Sequence, residues 1–134
     1  MGDERTRIMP QVGGKRDLER FLSKYRAAIV VVQGKAEGSE YVLDQEIISM
    51  GRGPGVDLVV PDTCMSRKHA VLELTGEGFR MRDMGSTNGV LVNGEPTLAA
   101  DLKHGDRLQV GEHIFQYILE SRDPTLRVYT IPDD

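Results

Sequence analysis

The sequence predicts an all-β sandwich, and three observations carry that prediction. Short runs rich in Val, Ile and Leu recur along the chain, separated by turn residues at close intervals. Fifteen glycines and six prolines among 134 residues supply those turns. Only one segment shows helical periodicity, so an α/β fold with helices alternating between strands is excluded. The length suits one domain plus a modest extension, enough to bury a core. With no tryptophan and few other aromatics, Val, Ile, Leu and Met must fill it.

Residues 1–14 contain Gly2, Pro10, Gly13 and Gly14 without apolar periodicity and read as a flexible arm. Across residues 15–26, Leu18, Phe21, Leu22 and Tyr25 recur at helical spacing, which predicts a short amphipathic helix packed on the domain or on a partner. The domain proper is placed at residues 27–119. Strands are predicted at 27–33, 40–43 and 47–51, with turns at 34–39 and 44–45. Further strands follow at 57–60, 70–74, 79–82 and 90–92. Asn93-Gly94 is the strongest hairpin signal, since both residues tolerate the positive φ of a primed turn. After a loop at 96–104, Gly105-Asp106 introduces a strand at 107–110, and Gly111-Glu112 turns into another at 113–119. About ten strands at this spacing make a sandwich. Residues 120–134 read as a final strand at 127–131, bounded by Pro124 and Pro132, or as a linker.

The net charge is −4, which argues against non-specific nucleic-acid binding. Its distribution is uneven. Residues 1–26 hold seven basic and four acidic side chains, and the rest of the chain ten basic and seventeen acidic. Half of those ten, Arg52, Arg67, Lys68, Arg80 and Arg82, fall in the central stretch 51–94, a local positive site on an acidic body. Cys64 is the only cysteine, so no internal disulfide framework exists and a reducing compartment is the simpler expectation. No apolar run is long enough to span a bilayer and no signal-peptide core is evident. The protein is expected to be cytoplasmic and bacterial in style, with no membrane or nucleic-acid partner. His104 and His113 are too isolated to argue a metal site, and no motif calls for a cofactor.

The polar residues of the central stretch sit in connections between strands, where a rigid scaffold can aim them. They are arginines, hydroxyls, amides and glycines, suited to holding an anion and a backbone rather than to breaking bonds. Gly51-Arg52, Ser66-x-x-His69, Asp83-x-Gly85-Ser86-Thr87-Asn88-Gly89 and Asn93-Gly94 together resemble the forkhead-associated (FHA) domain in order and spacing. Leu102-x-x-Gly105-Asp106-x-Leu108-x-Val110-Gly111 looks like the closing pattern of that family. The similarity runs from about Ile29 to Leu119. It implies an eleven-stranded β-sandwich whose loops at one end bind phosphothreonine peptides in Ser/Thr-kinase signalling. On the resemblance, Arg52 contacts the phosphate, Ser66 donates its hydroxyl, Arg67 adds charge or a backbone donor, and Thr87 lies beside the phosphothreonine side chain. Asn88 clamps the peptide main chain, while Gly51, His69, Gly85 and Gly89 hold the loops. Val56 and the Cys64-Met65 pair depart from the commoner family residues, which bears on loop shape and peptide preference.

Alternative readings stand beside this one. Ser66, His69 and Asp83 could form a small hydrolase, although no nucleophile elbow is present. Gly51-x-Gly53-x-Gly55 lacks the Gly-Lys-Ser/Thr of a nucleotide loop. A constitutive scaffold needing no phosphate is the third. In the arm, Thr6 lies between Arg5 and Arg7 and reads as a kinase acceptor whose phosphorylated form docks on an FHA site, its own or a neighbour's. Similar bacterial proteins place such a domain before a diguanylate cyclase, and Asp133-Asp134 would suit such a junction. The oligomeric state is not legible in the sequence.

Overall fold

The computed structural model describes residues 15–76 and 78–123. The expected arm with Thr6 and the expected strand at 127–131 lie outside the described residues.

Among the described residues, one helix, α1 (Lys15–Lys24), precedes eleven strands. In order they are β1 (Tyr25–Gln33), β2 (Glu40–Val42), β3 (Ile47–Gly51), β4 (Leu58–Val59), β5 (Ala70–Thr75) and β6 (Gly78–Asp83). The rest are β7 (Val90–Val92), β8 (Glu95–Pro96), β9 (Ala99–Asp101), β10 (Arg107–Val110) and β11 (His113–Ser121). They form two sheets, ordered β2-β1-β11-β10-β7-β8 and β4-β3-β5-β6-β9. All pairings are antiparallel except β3 with β4.

The strand pattern follows from side-chain alternation. In β10, Leu108 and Val110 are buried while Arg107 and Gln109 are exposed. In β3, Ile48 and Met50 face inward between the exposed Ile47 and the half-buried Ser49. The inward residues of both sheets, among them Ile29, Met50, Leu72, Phe79, Met81, Leu108 and Phe115, make one core. Strand β5 is buried on both faces for a different reason. Its outward Glu73 is covered by Arg82 of β6, which forms an ion pair with it.

Strand β9, and the second residue of β8, fall where the sequence predicts only the loop 96–104. Strand β8 is a two-residue return after the Asn93-Gly94 hairpin, and both of those residues have positive φ, 51° and 87°. Strand β9 is Ala-Ala-Asp, poor strand formers by composition, recruited by long-range pairing to β6. The parallel β4 is two residues long, shorter than the predicted 57–60. Helix α1 stops two residues before the predicted end, where β1 takes over the chain.

Phe21 is the buried residue of α1. It packs edge-on against Phe79, with ring centroids 5.6 Å apart, and lies 5.3 Å from the Tyr25 ring. Phe21→Ala should therefore cost about 3 kcal/mol in urea unfolding. It should also release α1, read as faster amide exchange in residues 15–24 than in β5. Unchanged stability and exchange would show that the helix is not held by this ring.

Candidate functional site

The connections after β3, β4 and β6 meet at one rim of the sandwich, beside the β10–β11 turn. Main-chain bonds join the first two. The Arg52 amide donates to the Ser66 carbonyl (3.0 Å) and the Gly53 amide to the Arg67 carbonyl (3.1 Å). That approach requires glycine at 51, since a Cβ there would overlap the Arg67 carbonyl. The guanidinium of Arg52 is then fixed from its own end, its Nε donating to the Met65 carbonyl at 2.9 Å.

His69 is fully buried and ties the second connection to the third. Its Nδ1 accepts from the Ser66 amide (2.9 Å), so Nε2 carries the hydrogen and donates to the Gly89 carbonyl (2.7 Å). Within the third loop, Asp83 accepts from the Ser86 amide and Ser86 Oγ from the Gly89 amide, each at 2.9 Å. Gly85 and Gly89 bound this turn with φ of 75° and 78°. Ser66 Oγ accepts from the Thr87 amide (3.0 Å), which leaves its O–H available to an outside acceptor. Asn88 Nδ2 donates to the Cys64 carbonyl (2.8 Å), leaving its side-chain oxygen and second N–H open.

Arg52, Ser66, Arg67, Thr87 and Asn88 thus line one groove, with Thr63, Cys64 and Met65 as its remaining wall. Ser66 is half-buried and the other four are exposed. No carboxylate among the described residues pairs with Arg52 or Arg67. Two unpaired guanidinium groups, a hydroxyl and an amide on a held backbone can take an anion attached to a peptide. Proton relay is poorly served. Both ring nitrogens of His69 are engaged by main chain and Asp83 faces Ser86, so Ser66, His69 and Asp83 do not form a chain of proton transfer.

Behind the groove lies a pair that the sequence reading missed. Asp62 and His113 are both buried, and His113 Nδ1 donates to Asp62 Oδ2 at 2.8 Å. Asp62 also accepts from the amides of Cys64 (2.8 Å) and Glu112 (2.7 Å). Burial pushes the Asp62 carboxyl up, but the bonds from His113, Glu112 and Cys64 outweigh it and hold the group below its ordinary value. The Cys64 thiol is pushed up by burial and then by the Glu112 carboxylate. Pro61-Asp62-Thr63 signals a turn in the sequence, yet its partner is 51 residues away, beyond any local pattern.

These features define a β-sandwich recognition module with a polar, arginine-lined groove at one rim. The family of the cytoplasmic domain of the inner-membrane component of T3SS matches residues 30–120. The chain is 43% identical over 86 residues to the glycogen accumulation regulator GarA of Mycolicibacterium smegmatis, covering 64% of this chain and 54% of that one. It is 36% identical to the oxoglutarate dehydrogenase inhibitor of Corynebacterium jeikeium, covering 72% of this chain and 67% of the relative. The chain thus spans about half the length of the GarA proteins it matches. A solved FHA domain studied for its phosphothreonine-dependent interactions superposes with a TM-score of 0.64 at 28% identity, over 69% of this chain and 95% of that one. Mycobacterium tuberculosis EmbR, solved with a low-affinity phosphopeptide, gives 0.66 at 29% identity, over 73% and 25%. The chain belongs to the forkhead-associated (FHA) domain family.

Two outcomes follow from the loop contacts. Gly51→Ala should part the first two connections and lower stability by about 3 kcal/mol in chemical unfolding, and a change under about 0.5 kcal/mol would contradict the close approach. Because the Asp62 carboxyl lies low in the folded protein, its contribution is complete above the unfolded value, about 3.9, and is lost as pH falls through the folded one. Melting curves between about pH 2 and 6 should therefore fall more steeply at the acid end for the wild type than for Asp62→Asn.

Proposed function

We propose that this chain is a phosphothreonine-peptide recognition module that acts by binding rather than by turnover. The observation that carries this reading is the convergence of the Arg52 guanidinium and the Ser66 hydroxyl on one groove. A phosphothreonine brings a charge of about −1.5 to −2 and three strong acceptors. Arg52 and Arg67 supply charge, Ser66 a hydroxyl donor, and Asn88 the contacts for the peptide main chain. Three charge-assisted bonds at roughly 1.5–3 kcal/mol each, less the ordering of a flexible peptide, suit a reversible reader with a Kd on the order of micromolar. The partner is then a protein phosphorylated by a Ser/Thr kinase, and the consequence is regulation of an attached or separate effector. The printed names of the relatives, a regulator and an inhibitor, support a regulatory role.

The chain's own arm is a second source of such a ligand. Thr6, between Arg5 and Arg7, offers a basic kinase site close to the domain, where tethering raises the effective concentration. A synthetic 1–14 peptide phosphorylated on Thr6 should bind the domain lacking its arm, and the unmodified peptide should not. Equal weak binding by both ends the arm proposal alone.

An array of phosphothreonine peptides, with phosphoserine and unmodified counterparts, tests the main reading. Binding should require the phosphate and fall about a hundredfold or more in Arg52→Ala, with a nearly unchanged melting temperature. Binding that survives both Arg52→Ala and phosphatase treatment would establish a scaffold instead.

A further inference from the structure

We propose that Asp62, seated on His113, is a positioning residue for the anion groove: it holds the loop whose carbonyls aim Arg52 and Asn88. The inference rests on the recognition reading above and deepens it by naming what sets the groove's geometry from behind.

The Asp62 and His113 side chains are 2% and 5% exposed, and neither lines the groove. The carboxylate closes residues 62–65 into a tight turn, its Oδ1 accepting from the Cys64 amide while the Asp62 carbonyl accepts from Met65 N at 3.0 Å. Its Oδ2 meets both Glu112 N and His113 Nδ1, which fastens that turn to the β10–β11 connection. The next carbonyls outward are those of Cys64 and Met65, the acceptors of Asn88 Nδ2 and Arg52 Nε. One short stretch of backbone therefore separates the buried carboxylate from two groove side chains. The space around the pair is specific as well. A Cβ on Gly111, at φ +64°, would come 2.5 Å from Asp62 Oδ2, and one on Gly34 would come 2.7 Å from the His113 ring.

The chemistry calls for a carboxylate. Three N–H donors converge on its two oxygens, whereas an amide offers one acceptor oxygen and donors of its own. Asp62→Asn must leave at least one buried N–H facing another. His113→Phe removes one donor outright. His113→Asn can place its side-chain nitrogen near the position of Nδ1.

The test uses the full chain and the tightest phosphothreonine peptide from the array, with affinities measured by calorimetry. Asp62→Asn and His113→Phe should each bind about tenfold more weakly, and His113→Asn within about threefold of wild type. Combined with Asn88→Ala, the Asp62→Asn penalty should shrink, because the two changes share a path. In ligand-free protein, nitrogen–proton spectra should show the Arg52 Nε–H and Asn88 side-chain signals shifted by Asp62→Asn. The proposal is overturned by affinity within twofold of wild type for Asp62→Asn, by an equal penalty in both backgrounds, or by unmoved signals. Should Asp62→Asn not fold, the two His113 variants decide, and equal affinity in both overturns it. If the wild type binds no phosphopeptide, the recognition reading fails, while the ligand-free spectra still decide whether Asp62 positions Arg52 and Asn88.

Discussion

A surface guanidinium loses roughly 2 kcal/mol of rotamer freedom when a ligand orders it. In this domain much of that loss has occurred before any ligand arrives. The Nε of Arg52 is bonded to the Met65 carbonyl, and its own amide to Ser66, so the plane of the group is set by the fold. Both bonds exist because β3 ends in contact with the main chain of the loop between β4 and β5, a contact that only glycine at 51 permits. The groove's shape depends on this contact, because it joins the two loops that carry Arg52 and Ser66. A freely rotating arginine at the same place would lose part of its interaction energy to ordering.

What keeps the loops in place is burial at their feet. Between the exposed Arg52, Arg67 and Thr87 lie Met65, 2% exposed and part of the core, and His69, fully buried. In the loop between β4 and β5, Asp62, Met65 and His69 are thus anchored in the sandwich, and Ser66, Arg67 and Lys68 between the last two are presented outward. His69 serves where an apolar side chain could not, since the loops it joins carry main-chain groups that need partners away from water. The result is a loop cluster with the rigidity of sheet and the surface of a polar site.

Strand β10 was legible because period two in burial leaves period two in composition, while β11 was read from its strand-forming residues, its alternation showing in burial alone. Strands β8 and β9 were not. Glu-Pro and Ala-Ala-Asp carry no strand composition and are extended only because neighbouring strands pair with them. The site divides along the same line. Arg52, Ser66, Asn88 and their glycines form short spaced motifs and could be read from the chain, and the structure brings the five predicted contact residues to one groove. Asp62 and His113 could not, because a buried bond across 51 residues leaves neither a spacing nor a periodicity to detect.

A carboxylate buried behind a groove proposed to hold an anion is adverse in one respect, since like charges repel across a poorly screened interior. Replacing it by an apolar group would ease that repulsion but strand the amides of Cys64 and Glu112 and the ring nitrogen of His113. Each buried N–H left without a partner costs about 1–3 kcal/mol, and the turn would relax to recover it. The carboxylate's charge, by contrast, is opposed at short range by three N–H dipoles and at the groove by Arg52 and Arg67. The balance favours order over field strength. Two basic side chains on neighbouring loops tolerate one opposing charge, whereas a mispointed guanidinium has no other residue to correct it.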